Sequence, residues 1–314
     1  MSLRVYKASE ALASVEQDGS KVLNIQKKKE DKVFKGTRFL YANFNIAGDT
    51  KKDGWFSFEN VELSTGMADP ADETDKRNEF EGTRLQLQTS VSRAGVIGEF
   101  LQQLQPAWEE TVANSVDAGD IVKGTRRVHG IVQSKLSEEN AENPGGDIED
   151  PIIRFKIDFR PYPARYPRTF LRGQPKTKIY DYRTAYTDDK GTTQYHLAKV
   201  EDPDTGELVD VTTDNIHLFV TAGSVIKSGR ITMPSVAVSQ AWISLPITIN
   251  RAVIEPGAEA GFSDEVPVAR HNALLAELAA PVAVPVAEQA VEEPTEEPTE
   301  DTTLDAVNAL LDGL

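Results

Sequence analysis

The stretch that decides the fold is Arg230–Ile254, RITMPSVAVSQAWISLPITINRAVI. Val236, Val238, Trp242, Ile243, Leu245, Ile247, Ile249, Val253 and Ile254 are branched or aromatic residues that suit a pleated, half-buried surface. This is the most β-rich part of the chain and predicts two or three strands. Trp242 within it is read either as core or as a face for stacking on a base.

The same signature recurs upstream. Lys32–Ile46 alternates Phe39, Tyr41 and Asn43 with Leu40, Ala42 and Phe44. Gly48–Gly54 reads as a turn, and Trp55–Leu63 as a second strand with Phe56 and Phe58 on one face, which predicts a hairpin. Arg84–Ser90, Ile121–Lys135, Thr193–Val200 and Glu207–Thr212 also have strand character. One segment differs. Val96, Ile97, Phe100, Leu101, Leu104 and Trp108 recur at helical spacing behind a capping Ser92. Pro106 is expected to kink or restart that helix, and Trp108 is read as core. The fold class expected is mainly β, a partly open barrel with a helical insertion.

Between these strands lies a cationic, aromatic segment, Pro151–Thr187. Arg154, Lys156, Arg160, Arg165, Arg168, Arg172, Lys176, Lys178 and Arg183 face only Asp158 and Asp181, so nine bases against two acids leave +7. The chain as a whole is −16, so the remainder sums to −23. Phe155, Phe159, Tyr162, Tyr166, Phe170, Tyr180, Tyr182 and Tyr186 are interleaved. Cations neutralise phosphates and release counterions, and aromatic faces stack on unpaired bases with little sequence preference. Single-stranded nucleic acid needs both groups on one surface. The competing reading makes the aromatics core and the arginines a solvated face. It is strongest for Ile152–Arg160, where Ile153, Phe155, Ile157 and Phe159 alternate with charged residues. Around Tyr162–Arg172, Pro161, Pro163 and Pro167 oppose ladder pairing and predict a long loop.

The chain has no cysteine, which excludes disulfides, thiol catalysis and cysteine zinc sites and fits a reducing compartment. No secretory signal opens it, and no apolar run approaches the ~20 residues of a membrane helix. The expected setting is intracellular, the host cytoplasm or nucleus if the protein is viral, with no membrane partner. There is no phosphate-binding glycine loop, nucleophile elbow or metal-ligand spacing among His129, His196, His217 and His271, so no cofactor, metal or catalytic residue is assigned. Gly-Thr-Arg recurs at 36–38, 82–84 and 124–126. These are turn glycines starting strands, or arginines presented toward one groove.

After Arg270 no Lys or Arg occurs, and ten acidic residues make the tail −10. Pro281–Thr303 is low-complexity Pro, Glu, Thr, Val and Ala and is expected to be disordered. At the tip, Leu304, Val307, Leu310, Leu311 and Leu314 fall on one helical face and read as a partner-docking motif that folds on binding. The organisation expected is an N-terminal arm (1–30), a nucleic-acid-binding body (31–255), an acidic linker (256–303) and a docking tip (304–314).

A mainly β body, a basic aromatic segment and an acidic tail with an apolar tip coincide here. Together with Ile179-Tyr180-Asp181 and Ser224–Ile254, they resemble the single-stranded-DNA-binding proteins of T7-like phages and large nucleocytoplasmic DNA viruses. The likeness covers about a third of the chain. It implies an OB-fold, a partly open five-stranded barrel suited to single strands. It also implies a tail that docks replication proteins such as a DNA polymerase and competes with DNA for the groove. The sequence departs from the pattern in its helical insertion around Ser92–Val116, and in ending at Leu314 where the phage pattern places an aromatic. The function expected is protection of single-stranded DNA in replication, recombination or repair, with room for a homodimer. The residues assigned to it are Arg154, Lys156, Arg160, Tyr162, Arg165, Tyr166, Arg168, Phe170, Arg172, Lys176, Lys178, Tyr180, Tyr182 and Arg183. The rivals are a viral β-sandwich coat component, a nuclease using Asp158 and Asp181, and a binder of RNA.

Overall fold

The computed structural model describes residues 4–26, 33–34, 36–52, 54–67, 69, 86–133, 150–162, 164 and 171–257. In order, its elements are β1 (Tyr6–Lys7), α1 (Ala8–Asp18), β2 (Leu23–Gln26), β3 (Val33–Phe34), β4 (Thr37–Ile46), β5 (Asp49–Lys52), β6 (Gly54–Glu62), β7 (Gln86–Ser90), α2 (Gly95–Asp117) and β8 (Arg127–Val128). They continue with β9 (Ile152–Lys156), β10 (Lys178–Thr187), β11 (Thr193–Leu197), β12 (Lys199–Glu201), β13 (Leu208–Asp210), α3 (Ile216–Phe219), β14 (Val225–Met233), β15 (Ser235–Val238), β16 (Trp242–Ser244) and β17 (Thr248–Glu255).

The strands form two main sheets. The first runs β1-β6-β14-β17-β10-β11, with β9 also on β17 and β7 on β9. The second runs β2-β4-β15-β16-β8, with β3 and β5 both on β4. Arg230–Ile254 joins them. β14 belongs to the first sheet and β15 to the second, with only Pro234 between them; β16 and β17 cross back through Leu245–Ile247. Proline donates no ladder hydrogen bond, so Pro234 and Pro246 fall where the ladder breaks and the chain changes sheets. The result is the mainly β, partly open barrel that the sequence predicts.

The helical insertion is also present, and Pro106 does not interrupt it. Pro106 faces solvent inside the continuous helix α2. The carbonyl it deprives, at Gln102, is on the wet side of the helix, where water can serve it. The opposite stripe buries Ile97, Phe100, Leu101, Leu104, Trp108 and Val112. Phe100 meets Phe56 at 5.0 Å between ring centroids, and Phe56 meets Phe44 edge-on at 5.3 Å. The Trp108 indole donates to the His129 carbonyl at 2.9 Å, so this Trp is core, as read.

Two expectations are corrected. Lys32–Ile46 and Trp55–Leu63 do not pair as a hairpin. β4 turns back on β5 instead, with Ile46 opposite Asp49. Ala47 and Gly48 between them both have positive φ, 49° and 74°, the backbone of a tight two-residue turn. β6 then enters the other sheet between β1 and β14. The N-terminal residues are likewise no detached arm. Tyr6, Ala8, Ala11 and Val15 are buried, and β1, α1 and β2 belong to the body. Alanines at helical spacing bury a face with little apolar bulk, which leaves the stretch polar in composition.

Candidate nucleic-acid interface

Strand register sorts the first sheet into two faces, because residues paired across strands point the same way. One face carries Phe56, Phe58, Phe155, Ile179, Ile231, Ile249 and Ala252 into the core. The other carries three rows. Ser57, Arg230, Arg251 and Lys178 form one. Trp55, Thr232, Thr248, Lys156 and Gln86 form the next. Glu59, Ser228, Val253 and Tyr180 form the third.

Cations lie on aromatic rings across this face. The Arg230 guanidinium is 5.3 Å from the Trp55 ring centroid, the Arg251 guanidinium is 4.8 Å from that of Tyr180, and the Lys227 ammonium is 5.2 Å from that of Tyr182. Tyr182 in turn stacks on Tyr195 at 5.8 Å. Lys227 is also tied to Glu255 at 2.6 Å. Burial pulls the Arg230 proton affinity down, and the neighbouring Arg251 pulls it further, while Tyr162 and Tyr180 oppose. Two adjacent guanidinium groups thus sit partly desolvated with no carboxylate partner among the described residues. Among the described residues the buried Nε atoms of Arg154, Arg230 and Arg251, Oε1 of Gln86 and Oγ1 of Thr232 have no hydrogen-bond partner. A structure rarely leaves buried polar groups unpaired, and these five residues share one face.

The residues assigned from sequence divide into three sets. Arg154, Lys156, Lys178, Tyr180 and Tyr182 lie on this face. Arg160, Lys176 and Arg183 are engaged elsewhere. Arg160 and Lys176 both hold Asp158, at 2.8 and 2.9 Å, and Arg183 holds Asp181 at 2.7 Å. Burial pushes the Asp158 carboxyl up, but Arg160 and Lys176 outweigh it and hold the group well below the usual carboxylate range. The two carboxylates imagined as a metal pair are therefore each occupied by cations of their own segment. Among the described residues no group of three or more metal-ligating side chains is present. Tyr162 is 7% exposed and its hydroxyl accepts from Asn250 Nδ2 at 3.2 Å, so its ring is packed rather than open. Arg172 is exposed, and Lys178 also donates to Gln174 at 2.9 Å. Arg165, Tyr166, Arg168 and Phe170 lie outside the described residues, as do Leu304, Val307, Leu310, Leu311, Leu314 and the acidic linker.

Sequence reasoning missed Arg230, Arg251 and Lys227. The signal was an arginine inside each of two otherwise apolar strands, at positions where alternation puts the outer face. Trp242 proves 48% exposed, with His129 edge-on at 5.5 Å. In the Gly-Thr-Arg recurrence, Gly36 and Gly124 have φ of 76° and 50°, which only glycine adopts freely. Arg38 and Arg126 donate to the carbonyls of Asp120 and Ser239. Those two copies serve turns.

No protein-family description matches the chain. It is similar to the uncharacterised protein CP312R of African swine fever virus. The identity is 26% over 155 residues for isolate Pig/Kenya/KEN-50/1950, covering 49% of this chain and 46% of the relative. It is 25% for strain Badajoz 1971 Vero-adapted and for isolate Tick/Malawi/Lil 20-1/1983, each covering 49% of this chain and 45% of the relative. The chain thus spans about half the length of the curated relatives it matches.

Proposed function

We propose that this chain binds single-stranded DNA with little sequence preference, on the outer face of the β6-β14-β17-β10 sheet, during replication, recombination or repair. The observation that carries the reading is the set of cations resting on aromatic rings across one face, with Arg230 and Arg251 lacking acidic partners among the described residues. Unpaired, partly desolvated arginines cost stability, and phosphates are ligands that offset that cost with charge-assisted bonds. Tyr180, half-buried, and Tyr182, exposed, supply ring faces for unpaired bases; Trp55 is buried beneath Arg230 and positions that cation. Lys156, Lys178 and Arg154 extend the path. No catalytic step is assigned.

DNA is chosen over RNA on the resemblance of the sequence, because phosphate and stacking contacts do not report the sugar. The −10 segment after Arg270 competes with DNA for the cationic face, and its apolar tip docks a replication protein such as a DNA polymerase. Fluorescence anisotropy with a labelled poly-dT oligomer, on the full chain and on a version ending at Arg270, tests both parts. Salt-sensitive binding that tightens on truncation is the result expected. Failure of both forms to bind would overturn the reading and favour a structural role.

A further inference from the structure

Beside this face, where β7 and β9 approach the loop between β16 and β17, lies a cleft of ≈ 680 Å³. Its lining includes Trp242, His129, Gln86, Arg154, Lys156 and Arg160. The volume is within the range of small-molecule sites and suits one nucleotide. Three features of the lining point to the same ligand.

Trp242 is an exposed indole, 48% open to solvent, with His129 edge-on against it. That leaves an aromatic surface for a planar heterocycle. Arg154 and Gln86 lie in adjacent register positions of β9 and β7, Gln86 opposite Lys156 and Gln88 opposite Arg154. Among the described residues the Arg154 Nε is a buried donor with no acceptor, and Gln86 Oε1 a buried acceptor with no donor. A ligand that satisfies both needs acceptors and a donor close together on one planar edge. Finally, Lys156 is exposed at the lining, a cation placed for a phosphate.

We propose that this cleft is a nucleobase subsite for guanine, carried by the bound strand or by a free nucleotide. The base stacks on Trp242, the Arg154 guanidinium donates to O6 and N7, Gln86 Oε1 accepts from N1–H, and Lys156 meets the phosphate. A guanidinium with two donors fits the two adjacent acceptors of guanine, whereas adenine presents a donor at the same place. This deepens the proposed function and rests on it: the sheet face binds any strand, and the cleft adds a preference at one position.

The test compares a labelled dT15 with the same oligomer carrying one central dG or one central dA, using the full-length chain. The expected result is about tenfold tighter binding of the dG oligomer than of either other. Gln86→Ala and Trp242→Ala each bring that ratio close to one. Trp242 is a surface residue, so its substitution does not test folding. 7-Deazaguanine at the same position should lose most of the preference. Adding dGMP without any strand separates the sources. Saturable quenching of tryptophan fluorescence that is lost in Gln86→Ala, with all three oligomers bound equally, would assign the cleft to a free nucleotide. Equal, tight binding of the three oligomers with no response to dGMP overturns the subsite and leaves the sheet face standing. No binding of any oligomer or of dGMP overturns both.

Discussion

Arg251 and Tyr180 sit on neighbouring parallel strands, with the guanidinium 4.8 Å from the centre of the tyrosine ring. Across β17 from that pair, Arg230 sits opposite Arg251 and lies over Trp55. Two like charges side by side in a partly desolvated setting are poor stabilising elements. Their geometry makes sense as a site that waits for an anion.

Stability and binding should therefore part company at Arg230. Arg230→Met removes a partly buried charge that has no acidic partner among the described residues and keeps most of the apolar contact with Trp55. Its thermal midpoint is expected to equal or exceed that of the parent chain, while its affinity for poly-dT falls about tenfold. Calorimetry and anisotropy on the same preparation check this. A stability loss in step with the binding loss would mean the arginine is structural.

Stacking residues should behave differently from the cations. Tyr180→Leu and Tyr182→Leu are each expected to weaken binding by roughly 1–3 kcal/mol per base lost, with the slope of log affinity against log salt unchanged. A change of slope in these variants would show that the rings act through the charges above them.

Asp158 sets a pH dependence. Its folded carboxyl is depressed well below the unfolded value of about 3.9. The ion pairs with Arg160 and Lys176 therefore contribute stability above that unfolded value, and the contribution is lost as pH falls through the folded one. Urea midpoints measured between pH 7 and pH 3 should fall on the acid side for the parent chain. Asp158→Asn should be less stable at pH 7 and show a shallower acid decline.

The sheet behind the site also makes a demand. A Cβ at Gly229 would collide with the Phe58 ring, which stacks on Phe155 at 5.7 Å. Gly229→Ala is expected to lower the thermal midpoint by an amount typical of core overpacking, about 1–3 kcal/mol. A neutral Gly229→Ala would show that the Phe58–Phe155 stack yields.

How far the site was legible in the sequence follows from these same residues. Alternation in Arg230–Ile254 announced strands, and the spacing of Phe100, Leu104 and Trp108 announced the helix, because both patterns are local. The β4–β6 hairpin was misread because pairing depends on the positive φ available at Ala47-Gly48 and on which sheet has a free edge, and neither is local. The cationic segment was found by composition, but composition cannot say which cations are spent. Asp158 takes two and Asp181 one through contacts within the segment. Arg230 and Arg251, which have no acidic partner among the described residues, are concealed in an apolar stretch and come together only through the pairing of β14 with β17.

The most direct test of the central claim is the salt dependence of poly-dT binding, measured by anisotropy for the parent chain and for Arg230→Ala/Arg251→Ala. The double variant is expected to bind at least tenfold more weakly and to lose about 1.4 from the log–log salt slope, at roughly 0.7 per phosphate contact on a single strand. Equal affinity and an unchanged slope in the two proteins would contradict the claim that this face holds the strand.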